Sequence, residues 1–232
     1  MWRASKGAHA GEIERIGQGH AEAGDGNSEL ESFIHFELDR CGAGQRLEDV
    51  RDNIARVLGD GRAAVEDWPK LLDSARAAIN EMKTRDTTPD GMEARAFLEW
   101  MVGDHFTFLG CRDYDLVEHE GGFALRGVQG SGMGLLRETL RAPAASDVTP
   151  LPPGAAAIIE GAAPIFLTKA NSRATVHRLG YLDYVGVKRV APDGKVIGER
   201  CFLGLYTSTA YLVPTSKIPI VRRAGFLEKG IW

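Results

Sequence analysis

Cysteine is scarce in this sequence: three in 232 residues, Cys41, Cys111 and Cys201, with no CxxC pair. An odd, widely spaced set excludes a disulfide-stapled secreted fold and predicts free thiols in a reducing cytoplasm. Their expected role is that of small buried hydrophobes rather than nucleophiles. Long apolar runs are also lacking. A bilayer span needs about 20 consecutive apolar residues, so no membrane partner is expected. The first residues, MWRASKGAHAGEIERIG, hold no apolar core followed by a small-residue cleavage site and do not read as a secretory signal. Charge of one sign is not in excess. With 28 Lys plus Arg against 32 Asp plus Glu the net charge is −4, which gives nucleic acid no electrostatic reason to bind.

Chemistry-bearing motifs are missing as well. Gly130-Ser131-Gly132-Met133-Gly134 invites a dinucleotide reading, but Leu135 stands where the third glycine is required. Asp147, in a Pro/Ala stretch, does not supply the acidic residue at a strand end that such a site needs. The phosphate-cradling GxxxxGK[ST] is absent. His9, His20, His35, His105, His119 and His177 are scattered, none is paired at ligand spacing, and HExxH does not occur. There is no GxSxG elbow. No catalytic residue, cofactor-binding residue or metal ligand is expected in this chain.

What is present is ordinary globular composition, 44% hydrophobic and 26% charged, in a length that suits one or two domains. Residues 1–29 are rich in Gly, Ala and Glu, with one short strand available at Gly11–Ile16. Ser32–Leu38 alternates as a strand. Leu47, Val50, Ile54, Val57 and Leu58 then fall on one helical stripe. Gly59-Asp60-Gly61 is expected to interrupt it. A second helical pattern follows, with Val65, Trp68, Leu71, Leu72, Ala75, Ile79 and Met82, kinking or restarting at Pro69. The polar stretch Lys83–Pro89 is the expected boundary. Asp90 is expected to cap a helix, with Glu93 completing a capping box, and Ala96, Phe97, Trp100 and Met101 as its buried face. Asp104-His105 then sits at the helix end, where a histidine meets the negative end of the dipole.

Thr107–Leu116 returns to extended character and Gly121-Gly122 turns it into Phe123–Arg126. Gly127–Gly134 and Pro143–Gly154 read as loops, and Ala155–Gly161 as a short helix. Ile165–Lys169 and Thr175–Arg178 offer two extended runs. A long hairpin follows: Asp183, Val185, Val187 and Arg189 alternate with Leu182, Tyr184, Gly186 and Lys188, and Cys201–Ser208 alternates likewise past a Pro192-Asp193-Gly194 turn. Lys169, Asn171, Arg173, His177, Arg178, Lys188 and Arg189 gather at one sheet edge in this reading. They could grip a small anionic effector through charge-assisted bonds to its carboxylate or phosphate. Equally, they could solvate a sheet face or pair with acidic residues of another domain.

LTKANSRATVHRLGYLDYVGVKR followed by GERCFLGLYTSTAY resembles the N-terminal region of the large bacterial NAD-specific glutamate dehydrogenases. The likeness extends through VRDNIARVLGDGRAAVEDWP (Val50–Pro69), EARAFLEWMVGDHFTFLGCRDYDL (Glu93–Leu116) and GSGMGLLR (Gly130–Arg137), roughly Ser32 to Arg223 in all. The resemblance implies an α+β chain of antiparallel sheets with flanking helices. Residues 1–29 would be a remnant or linker, 30–84 a partial ACT-like unit, 90–213 a PAS-like (or ACT-like) sensory module, and 214–232 a tail departing from the family. It also implies a fragment broken at both ends, lacking the catalytic domain and inactive alone. NAD would serve the intact enzyme, with the remaining polypeptide and a homo-oligomer as partners. The alternative is a stand-alone module sensing an amino acid or other anion.

Overall fold

The computed structural model of the chain describes residues 2–5, 28–31, 45–140, 148–151 and 161–222. Cys41 and the strands expected at Gly11–Ile16 and Ser32–Leu38 lie outside these residues, as does all but the last residue of the helix expected at Ala155–Gly161. Two compact units are present, Met1–Val50 and Arg51–Trp232. In the first, β1 (Trp2–Ser5) pairs antiparallel with β2 (Ser28–Glu31). Helix α1 (Gln45–Arg85) starts there and continues into the second unit.

After the link Asp86–Thr88 the second unit continues with α2 (Pro89–Trp100), which widens into a turn at Met101–His105. That turn ends at Asp104, whose φ of 68° is a left-handed conformation that aspartate tolerates better than most residues. The strands are β3 (Phe106–His119), β4 (Gly122–Gly127), β5 (Met133–Gly134), β6 (Val148–Pro150), β7 (Ile165–Arg173), β8 (Tyr181–Val190) and β9 (Val196–Tyr206). They form one sheet in the order β6-β4-β3-β9-β8-β7, with β5 beside β3. Every pairing is antiparallel. The α+β class with an antiparallel sheet and flanking helices is therefore present. A short helix α3 (Ser208–Leu212) and a turn at Thr215–Lys217 follow the sheet.

Pairing fixes which side chains share a face. Cys111 lies opposite Phe202, and Ile165 opposite Val187. With Phe106, Phe108 and Val185 they pack on Leu71, Ala75, Ile79 and Met82 of α1 and on Ala94, Phe97, Leu98 and Met101 of α2. A bulge between Phe108 and Gly110 shifts the alternation so that Cys111 returns to the face of Phe108, while Leu109 points to the opposite face. There it joins Leu182, Cys201, Leu203 and Leu205 under Leu135 and Ala174, with Ala64 of α1 completing the cluster. Among the described residues no helix is long and apolar enough to cross a membrane.

Several expectations are corrected. α1 is one 41-residue helix, with no interruption at Gly59-Asp60-Gly61 and no restart at Pro69. Tertiary contact outweighs the roughly 1 kcal/mol that each glycine costs. Asp60 is fully buried and accepts from the Thr175 hydroxyl at 2.7 Å, while Gly61 lies within contact reach of Val176. The predicted apolar stripe is only half used, for Leu58, Val65 and Trp68 are 49%, 76% and 49% exposed. The cap of α2 is Thr88, not Asp90. Its hydroxyl accepts from Gly91 N at 3.1 Å, and Pro89 takes the first helical position, where its missing N–H costs nothing. Thr175–Arg178 is a set of bends rather than a strand: His177 has φ 71°, and Thr175 and Val176 turn toward α1.

Candidate functional site

The seven residues expected to form a basic edge are distributed more widely than the sequence suggests. Lys169 lies on β7 directly opposite Asp183 of β8, and its Nζ sits 2.5 Å from the Asp183 carboxylate. Arg173 stacks its guanidinium over the Tyr181 ring at 5.1 Å, and Asn171 is exposed on the same strand. Arg178 donates to the Tyr206 carbonyl at 3.0 Å, and His177 sits in the bend before it. Lys188 donates to the Gly161 carbonyl at 2.6 Å, and burial holds its ammonium below the usual lysine range. Arg189, its neighbour and so on the opposite face, donates to Asp115 and to the Tyr114 carbonyl. Of the seven, Lys169 alone lines the cavity described next.

That cavity, about 330 Å³, lies between the end of the sheet, α2 and the segment that follows β9. Phe97 and Trp100 of α2, Leu167 of β7, and Tyr206, Val213 and Ile218 provide an apolar wall, with Lys169 and Asp183 as its charged pair. The segment from 207 to 222 crosses it like a strap fastened at both ends. At one end Thr207 caps α3 and its hydroxyl donates to the Asp104 carbonyl at 2.8 Å. At the other, Arg222 grips Glu93 with two bonds of 2.7 Å, and the same carboxylate accepts from Ile220 N at 2.8 Å. Ile220 is held at φ 67°, a conformation that a β-branched residue adopts only under outside constraint. Glu93 is therefore the anchor of the strap rather than half of a capping box.

Asp183 is the unusual member of the wall. It shares a face with Val185 and Val187, so an acidic side chain stands on the apolar side of the sheet, only 5% exposed. Lys169 holds one carboxylate oxygen. The other, Oδ2, is buried with no hydrogen-bond partner among the described residues, and the same is true of Trp100 Nε1. Burial pushes the neighbouring Tyr206 phenol well above its usual range, and the Asp183 charge adds to the effect. Sequence reasoning flagged Lys169 and missed Asp183. The signal was the alternation itself, which places position 183 with the two inward valines.

Ionisable groups are buried on the opposite face too. Arg112 is 2% exposed, lies 5.6 Å from the Tyr114 ring centroid and 3.8 Å from Glu138. Tyr184 donates its phenol proton to Glu199, whose carboxyl is pushed above the usual range by burial. Burial likewise raises Tyr114 to about 12 and Cys111 to about 11. Cys111 and Cys201 are buried free thiols, as small hydrophobes would be. Asp67 of α1 accepts from Gly134 N at 2.9 Å and from Arg137 at 2.5 Å, which holds its carboxyl well below the usual range. The glycine cluster thereby has a structural explanation. Gly134 has φ 60° and lies so close to the Leu109 carbonyl that any Cβ would collide with it, as one at Gly132 would with the Leu136 carbonyl. Among the described residues, His105 bonds the Trp100 carbonyl and stacks on its ring, and no group of three or more acidic, histidine or cysteine side chains could hold a metal.

No protein-family model matches the chain. It is 35% identical over 233 residues to the NAD-specific glutamate dehydrogenase of Halomonas elongata, covering 90% of this chain and 14% of that protein. It is 31% identical over 210 residues to the NAD-specific glutamate dehydrogenase of Pseudomonas aeruginosa, covering 86% of this chain and 13% of that protein. The resemblance seen in the motifs thus holds along the chain: it is similar to one region, about one-seventh in length, of the large NAD-specific glutamate dehydrogenases.

Proposed function

We propose that this chain is a non-catalytic, N-terminal regulatory and assembly region of a large NAD-dependent glutamate dehydrogenase. The intact enzyme would deaminate L-glutamate oxidatively to 2-oxoglutarate and ammonia, with NAD and water consumed. The similarity over 90% of this chain to 14% of a curated relative carries the reading. The all-antiparallel sheet supports it, because open dinucleotide sites form at the carboxyl ends of parallel strands. In this reading the partners are the rest of the polypeptide and further copies of it, in the cytoplasm, with NAD bound elsewhere in the enzyme. Residues 30–84 then form a partial ACT-like unit and 90–213 a PAS-like, or alternatively ACT-like, sensory module. A small effector would bind beside Lys169, which lines the cavity under the strap. That cavity also favours the second reading, a module that senses a small molecule on its own.

Glutamate-dependent NADH production tests the first reading. The purified chain is expected to show none, and turnover above a heat-denatured control would overturn it. Removing this region from the full-length enzyme is expected to alter oligomeric state or effector response.

A further inference from the structure

We propose that the strapped cavity is a binding site for a small zwitterion with an apolar side chain, that is, a free α-amino acid of the leucine, methionine or phenylalanine kind. The inference deepens the sensory part of the preceding reading and rests on it only for biological purpose. The site itself stands on the geometry.

A carboxylate on the apolar face of a sheet is costly unless its oxygens are satisfied. Asp183 has one oxygen on Lys169 and the other unmatched, while Trp100 Nε1 in the same wall is an unmatched donor. The residues of the cavity wall therefore include one buried acceptor and one buried donor without partners among the described residues, beside a lysine whose side chain is half exposed. An α-ammonium meets the first requirement by donating to Asp183 Oδ2. An α-carboxylate meets the others, accepting from Lys169 Nζ and from the indole N–H. These two charges sit on one carbon, and a small apolar side chain is left to fill the space between Phe97, Leu167, Val213 and Ile218. A cavity of about 330 Å³ lies at the small end of the range for ligand pockets. Glutamate or 2-oxoglutarate would bring a second carboxylate against this wall with no cation to receive it. The strap that walls the cavity is held at both ends, at Thr207 and at Glu93–Arg222.

Calorimetric titration of the full 232-residue chain tests this. The ligands are L-leucine, L-methionine and L-phenylalanine, with 3-phenylpropionate, phenethylamine, L-glutamate and 2-oxoglutarate as comparisons. Saturable binding of at least one apolar amino acid is expected. The acid-only and amine-only analogues should bind at least about tenfold more weakly, since each leaves a charge unmatched. Asp183→Asn keeps the shape and should weaken binding at least about thirtyfold, and Lys169→Met about tenfold. Val213→Phe fills the cavity without touching the charged pair and should also abolish binding. Circular dichroism confirms that each variant is folded. Three results would each overturn the site: no saturation by any apolar amino acid up to about 10 mM, glutamate or 2-oxoglutarate binding as tightly as leucine, or affinity unchanged in folded Asp183→Asn and Val213→Phe. None of these bears on NADH production, so the non-catalytic reading stands or falls separately.

Discussion

Against α1 and α2 the sheet presents Phe106, Phe108, Val185, Val187 and Phe202, with Asp183 and the Arg200–Asp113 pair at the margins of that face, whereas its other face carries Arg112, Tyr114, Tyr184 and Glu199 among its leucines. The covers explain the difference. Helices satisfy their own backbone and present only side chains, so they seal an apolar face. The other face lies under Leu135, Leu136, Ala174 and Val176, in segments rich in turns. Irregular backbone brings polar groups with it, and ionisable side chains lie beneath this cover. One face is stabilised mainly by packing, whereas the other buries Arg112 and Glu199 among its leucines, and their responses to mutation and to pH should differ accordingly.

The largest effect should come from the packed face. Phe202 is fully buried and touches Phe108 edge-on at 5.6 Å. Phe202→Ala is expected to cost about 4 kcal/mol in denaturant unfolding, nearly independent of pH. The second effect concerns the tie between α1 and the glycine-rich segment. Asp67→Asn should cost about 2 kcal/mol at neutral pH. Because the folded-state pKa of Asp67 is depressed, its contribution is fully present above about pH 5 and is lost on acidification. Wild-type stability should therefore fall below pH 5 more steeply than that of the variant. The smallest effect, on the order of 1 kcal/mol, should come from Glu199→Gln. This carboxyl is raised above its ordinary 4.5, so its contribution is greatest below that value and declines as pH rises. The variant should flatten that decline and match or exceed wild type at pH 7. A wild-type profile already flat from pH 4.5 to 8 would erase the contrast between the faces.

Much of the sheet was readable in advance because alternation and turn chemistry agree locally. β8, β9 and the Pro192-Asp193-Gly194 turn fall where period-two patterning and the φ needs of a turn place them, with Gly194 at φ 85°. Elements that depend on distant partners were misread. Gly59-Asp60-Gly61 looks like a break until Asp60 is seen bonded to Thr175, 115 positions away. Thr175–Arg178 has strand-like composition, yet its contacts are with α1. The cavity draws on α2, β7, β8, β9 and the strap, and no single stretch of sequence announces such a place. Asp183 did carry a local signal, an acidic residue in phase with two inward valines.

The two rims of the sheet bear on how copies of this chain can meet. At one rim β6 is three residues long and ends in Pro150, which has no N–H to offer a neighbour. At the other, β7 carries Lys169 and loses register between Lys169 and Arg173. Short, proline-bearing, charged or bulged margins are poor templates for adding another strand. Among the described strands the sheet is finite by construction. The margins of these described strands favour side-chain surfaces over continued backbone pairing where copies of this chain associate.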